Sequence, residues 1–125
     1  MKPDFLFIIT TDPARVPLAQ EVLSEVLTFA AFDIPLSVLF SGVGTRFLTG
    51  PIEPEVQGMM ASLPVYGVDE VYVDIESLGD GMPSSFLFPA RIQGLSRSQG
   101  HELKAHHRHV IGDLSDRSRS SEEVL

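Results

Sequence analysis

The chain has 125 residues, 43% hydrophobic and 21% charged, which suits one compact core and is too short for two independent ones. It contains no cysteine, and this excludes a disulfide framework, a zinc–thiolate site, an iron–sulfur cluster and a cysteine nucleophile. Nine Lys and Arg against seventeen Asp and Glu give a formal charge of -8, a sign that repels phosphate backbones and argues against nucleic acid as a direct ligand.

Phe5–Ile9 is a continuous aromatic and β-branched run before Thr10-Thr11-Asp12-Pro13, the pattern of a strand buried on both faces. The run is too short for a signal sequence or a membrane span, so the expected compartment is the cytoplasm. Ala19, Val22, Leu23, Val26, Leu27 and Ala30 then recur at threes and fours, which predicts an amphipathic helix over 16–31 with Pro17 in its first turn. Asp33-Ile34-Pro35 breaks it, and Leu36–Phe40 reads as a second strand, so the opening third is a strand–helix–strand unit with a right-handed parallel crossover.

Ser41-Gly42-Val43-Gly44 predicts a tight turn, Thr45–Leu48 a helical turn and Glu55–Ser62 a helix without one clean apolar stripe, closed by Leu63–Gly67. Glu70–Asp74 is the third strand, followed by a helical start at Ile75–Leu78 that Gly79-Asp80-Gly81 cuts short. Phe86–Phe88 and Arg91–Leu95 compete as the fourth strand. Pro89 separates them, and the second is the better candidate. Ser96 can cap a helix to about His106, with His109–Ile111 as a final edge strand and 115–125 as a disordered tail. The sum is an α/β domain over 1–114, three layers α/β/α around a mostly parallel five-stranded sheet, with the strand ends near Thr10, Ser41 and Asp74 on one edge, where a site is expected.

Gly42-Val43-Gly44-Thr45-Arg46-Phe47 begins like a dinucleotide fingerprint, but it follows the second strand and has Phe47 where a third glycine belongs, so an ordinary strand-to-helix turn accounts for it. His101, His106, His107 and His109 lie within nine positions, yet the spacing after His101-Glu102 misses the metal-binding one, and the cluster reads as a solvated helix end. Asp69, Glu70, Asp74 and Glu76 flank the third strand, with Glu70, Tyr72 and Asp74 on one side. Rim solvation explains such carboxylates more simply than acid–base catalysis does. No catalytic residue, metal or cofactor is assigned. An apolar surface on both sides of the Met59-Met60 helix points to a partner.

The run Leu63-Pro64-Val65-Tyr66-Gly67-Val68-Asp69-Glu70-Val71-Tyr72-Val73-Asp74-Ile75-Glu76-Ser77-Leu78 resembles the segment that the DsrE/DsrF/TusC family carries through its third strand. The helix at 16–31, the strand Val38-Leu39-Phe40 before a glycine turn, Phe47-Leu48, the Pro51 linker and the closing pair near Glu102–Ile111 agree in order, over about residues 1–114. The likeness is nearest to the TusC/DsrF type. Gly79-Asp80-Gly81 departs from it, standing where a longer basic helix is expected.

That resemblance implies a sulfur relay, in which this type of subunit sits with TusD/DsrE-like and TusB/DsrH-like chains in a heterohexamer that passes persulfide sulfur toward 2-thiouridine at the tRNA wobble position. The sulfur-carrying cysteine of the TusD-like chain lies at the end of the third strand, the place held here by Asp74. A carboxylate cannot carry a persulfide, because the chemistry needs a thiolate. The expectation is a non-catalytic subunit packing through its third-strand edge and through Phe47, Leu48, Met59 and Met60, with Tyr66, Tyr72, Glu76 and Ser77 as further interface residues. The alternative is a stand-alone homo-oligomer holding a small anion or a metal at the strand-end edge with Asp12, Ser41 and Asp74.

Overall fold

The computed structural model describes residues 5–84 and 87–112, so Phe86 and the predicted tail at 115–125 lie outside the described residues. Five parallel strands form one sheet in the order β4-β3-β2-β1-β5: β1 is Phe5–Ile9, β2 Leu36–Phe40, β3 Glu70–Asp74, β4 Arg91–Leu95 and β5 His109–Gly112. Between them run α1 (Val16–Ala31), a 3-10 turn (Gly42–Thr45), α2 (Arg46–Thr49), α3 (Pro54–Val65), α4 (Ile75–Leu78) and α5 (Arg97–Ala105).

Strand periodicity divides the sheet's side chains into two sets. Phe7, Ile9, Val38, Phe40, Val71 and Val73 face α1 and α3 in the larger core, joined by Phe47, Leu48 and Phe88. Leu6, Leu39 and Leu95 face the other way, packed with Ile8, Tyr72 and Leu103 of α5. Each fully buried Phe or Leu contributes about 1.5–3 kcal/mol relative to exposure, so the first face supplies most of the hydrophobic stabilisation. Phe29 fixes α1 onto β1, its ring edge-on to Phe5 at 5.2 Å and to Phe7 at 5.1 Å. Among the described residues, α5 is the helix that packs on the second face.

Helix α3 runs three residues past the predicted end at Ser62, through Pro64 to Val65. Val56, Met60 and Leu63 are its buried stripe, which was hard to see in sequence because Met59 and Gly58 blur it. Pro64 forfeits one intrahelical bond, and the helix then closes with Gly67 N–H on the Pro64 carbonyl (3.1 Å) and Val68 N–H on the Leu63 carbonyl (2.9 Å). Gly67 takes the positive φ of 94° that this pair of bonds requires.

Two expectations about the surface are corrected. Phe47, Leu48 and Met60 are each 0% exposed and belong to the chain's own core, so they offer nothing to a partner, while Met59 is half-buried beside them. Strand β3 has no free edge, because β4 pairs with it on one side and β2 on the other.

Candidate functional site

The chain leaving β3 stays on the α1/α3 face, where Leu78 and Phe88 pack, whereas the chain leaving β4 crosses to the opposite face as α5. Two neighbouring strands with connections to opposite faces open a crevice at their carboxyl ends, the place where ligands bind in open α/β sheets. A cleft of about 380 Å³ lies there, with Leu39 and Leu95 at the strand ends, Ser41, Asp74 and Ser96 beyond them, and Arg97, Gly100, His101 and Lys104 from α5.

Asp74 is at its centre, and its carboxylate is taken up by the turn that follows. One oxygen accepts the Glu76 N–H at 3.1 Å, capping α4. The other accepts the Ser77 hydroxyl at 2.9 Å and the Ser41 hydroxyl at 3.4 Å. Ser77 in turn accepts the Gly42 N–H at 2.9 Å, so the turns after β2 and β3 are tied through one carboxylate. This arrangement ties the two turns together and gives the carboxylate three hydrogen-bond donors.

Gly44 sets the other half of the edge. A methyl group there would overlap the Ile9 carbonyl, so the 3-10 turn can lie against the end of β1 only without a side chain. The glycine-rich stretch is thus a packing turn, with Phe47 buried against Phe40 at a ring-centroid distance of 5.6 Å rather than opening a nucleotide site.

Three further carboxylates, Asp12, Glu70 and Glu76, are paired with arginines. Asp12 meets Arg46 at 3.2 Å and accepts the Ala14 N–H, which separates it from Ser41 and Asp74. Glu70 meets Arg91 at 3.4 Å, and Glu76 meets Arg97 at 3.4 Å. Glu70, Tyr72 and Asp74 do share the α5 face, as alternation predicted, and the Tyr72 hydroxyl donates to Glu70 at 3.5 Å. Burial, then the charge of Glu70 and that hydrogen bond, raise the Tyr72 phenol above its ordinary value of 10.0. Among the described residues no three metal-ligating side chains converge.

The histidines divide by role. His106 Nδ1–H donates to the Glu102 carbonyl at 2.7 Å, and His107 Nδ1–H donates to the Leu103 carbonyl at 2.6 Å, the helix-end function that the sequence suggested. His107 Nε2 also hydrogen-bonds the buried Ser37 hydroxyl at 3.1 Å, which pins the end of α5 to the sheet. His109 stacks on Phe5 at 4.9 Å, and His101 faces the cleft. Nothing in the sequence marks the His107–Ser37 contact, since it joins positions 70 apart.

The proposed interface residues do not form one surface. Tyr66 is half-exposed (50%) beside Asp33–Leu36, at the amino edge of the sheet, Tyr72 lies under α5, and Glu76 and Ser77 are on the carboxyl edge. Val43 and Ile75, each 48% exposed, stand on the two turns that the Gly42–Ser77 bond joins. Their exposure was not legible in the sequence, because isolated apolar residues in turns carry no periodicity.

No family model matches the chain. It is 33% identical over 84 residues to the protein TusC homolog of Pseudomonas aeruginosa, an alignment covering 62% of this chain and 71% of that one. The chain belongs to the TusC family. The crystal structure of the ychN protein from E. coli superposes with a TM-score of 0.70, over 90% of this TusC-family chain and 99% of that one, at 9% identity. That likeness establishes a shared α/β architecture and no more. Among the described residues, no helix of this TusC-family member is long and apolar enough to cross a membrane.

Proposed function

We propose that this TusC-family chain is a non-catalytic subunit of a cytoplasmic sulfur-relay complex that supports 2-thiouridine formation in tRNA. The carrying observation is the state of Asp74. At the strand end where the resemblance puts the sulfur-carrying cysteine of the TusD-like relative, this chain has a carboxylate held by three hydrogen-bond donors, and it has no cysteine anywhere. Persulfide transfer needs a thiolate to attack and hold sulfur, so the carrier is a partner chain of the TusD/DsrE or TusB/DsrH type. This subunit supplies shape and contact surface. In place of the core residues Phe47, Leu48 and Met60, we assign the contact to the carboxyl edge: Val43 and Ile75, rimmed by Glu76 and Ser77.

The test is tRNA 2-thiouridine content in a strain lacking the gene, complemented with wild type, Asp74→Ala or Asp74→Asn. Loss on deletion and restoration by all three is the expected result. Unchanged 2-thiouridine on deletion contradicts the pathway. Failure of both Asp74 variants, when each accumulates to wild-type level and folds, contradicts the non-catalytic role.

Of the residues named for the stand-alone alternative, Asp12 is paired with Arg46, whereas Ser41 and Asp74 meet at the cleft.

A further inference from the structure

One wall of the carboxyl-edge cleft runs against the charge of the whole molecule. Arg97, His101 and Lys104 fall at spacings of four and three on α5, which places them on one face of the helix, and all three line the cleft. Gly100 lies on the same face, and nothing stands within 4 Å of where its side chain would begin, so the wall is open at that point. In a chain of formal charge -8, three cationic or protonatable groups gathered on one stripe are a local reversal of sign.

These groups are not consumed internally. Among the described residues His101 and Lys104 have no ion-pair partner, and Arg97 reaches Glu76 at 3.4 Å with both side chains more than half exposed (77% and 54%), a contact that a competing anion displaces readily. The one carboxylate in the lining, Asp74, has its oxygens turned to Glu76 N–H, Ser77 and Ser41. The floor is different: Leu39 and Leu95 are both buried and apolar. At about 380 Å³ the cleft is within the range of small-molecule sites, and it holds more than a bare inorganic ion.

We propose that this cleft binds a small organic anion, its sulfo or phospho head against Arg97, His101 and Lys104 and its apolar stem over Leu39 and Leu95. The site shares its cleft with Asp74, whose oxygens are held by the neighbouring turns, and it does not depend on the subunit reading, which is tested through tRNA and co-isolation.

The experiment is a titration of the full-length, nitrogen-15-labelled chain at constant ionic strength, read from backbone amide shifts. Three probes separate the contributions: phenyl phosphate for head and stem, inorganic phosphate for the head alone, and benzyl alcohol for the stem alone. Saturable shifts centred on Leu95, Gly100 and Lys104 are expected with phenyl phosphate, weaker binding with phosphate, and none with benzyl alcohol. The double variant Arg97→Gln/Lys104→Gln should weaken phenyl phosphate by about tenfold or more, since two charge-assisted contacts are lost. Arg91→Gln, which carries an equally exposed arginine outside the cleft, should leave it unchanged. Absence of saturable shifts at Gly100, or equal weakening by Arg91→Gln, overturns the proposal. Equal affinity for phosphate and phenyl phosphate overturns the assignment of the floor to an organic stem.

Discussion

At the residue scale, Asp74 and Tyr72 respond differently to substitution although they are two positions apart on one face of β3. Asp74→Ala removes the α4 cap and the tie between two turns, so stability should fall by about 1–2 kcal/mol in urea unfolding, with Asp74→Asn losing less because an acceptor oxygen is kept. Equal stability of wild type and Asp74→Ala contradicts the capping role. Tyr72 contributes through its proton. Its folded pKa lies above the unfolded value of 10.0, so the folded form holds that proton more tightly. The associated stabilisation is complete below pH 10.0 and is lost as the pH rises through the folded value. Tyr72→Phe should therefore flatten the decline in melting temperature on the alkaline side of pH 10.0 and leave the profile near neutrality parallel to wild type. An unchanged alkaline decline in the variant sinks this account. Asp74 was legible as a position, by order along the chain, but its hydrogen-bond partners were not, because Ser41 is 33 residues away.

At the element scale, the helices differ in how much the sequence reveals of them. Helix α1 was readable to its ends because its stripe is regular and Pro17 and Asp33-Ile34-Pro35 punctuate it. Helix α3 was not, since a proline in the last turn argued for an earlier stop, and the closing bonds on Gly67 are tertiary detail. Pro89 limited the fourth strand to one of Phe86–Phe88 and Arg91–Leu95, and the structure has β4 at Arg91–Leu95. The structure adds the reason that Leu87 and Phe88 are apolar: they are buried, and Phe88 packs in the larger core. Helix α5 has only Leu103 packed into the smaller apolar cluster, so the His107–Ser37 bond carries a large share of its attachment. His107→Ala leaves the buried Ser37 hydroxyl without its partner and should cost about 1–2 kcal/mol, with faster amide exchange confined to α5. Uniform exchange across the sheet instead would show that α5 is held by other contacts. Gly44→Ala acts on the opposite turn. It forces the 3-10 turn off the end of β1 and should destabilise by about 2 kcal/mol or more, read from the urea midpoint.

At the scale of the whole molecule, the described residues form five parallel strands with a larger apolar core on one face and a smaller one on the other, and the cleft proposed as a binding site opens at the carboxyl edge on the α5 side. The fold class was legible because alternating strands and helices admit few topologies. Which apolar residues are exposed was not legible, because apolar residues in a sequence look alike whether they fill a core or stand at the surface: Phe47, Leu48 and Met60 do the first, Val43 and Ile75 the second. If the carboxyl edge is a contact surface, Val43→Asp/Ile75→Asp should leave the fold intact by circular dichroism and release partner chains. Retention of the partners by that variant removes the assignment. The central claim, that this chain completes a complex whose chemistry lies in other subunits, is tested most directly by isolating the native protein through an affinity tag at near-physiological salt. The eluted species is then weighed by light scattering and its chains are identified by mass spectrometry. The account predicts equal amounts of two further chains of similar size, at least one with a cysteine that takes up persulfide; a closed homo-oligomer of this chain alone contradicts it.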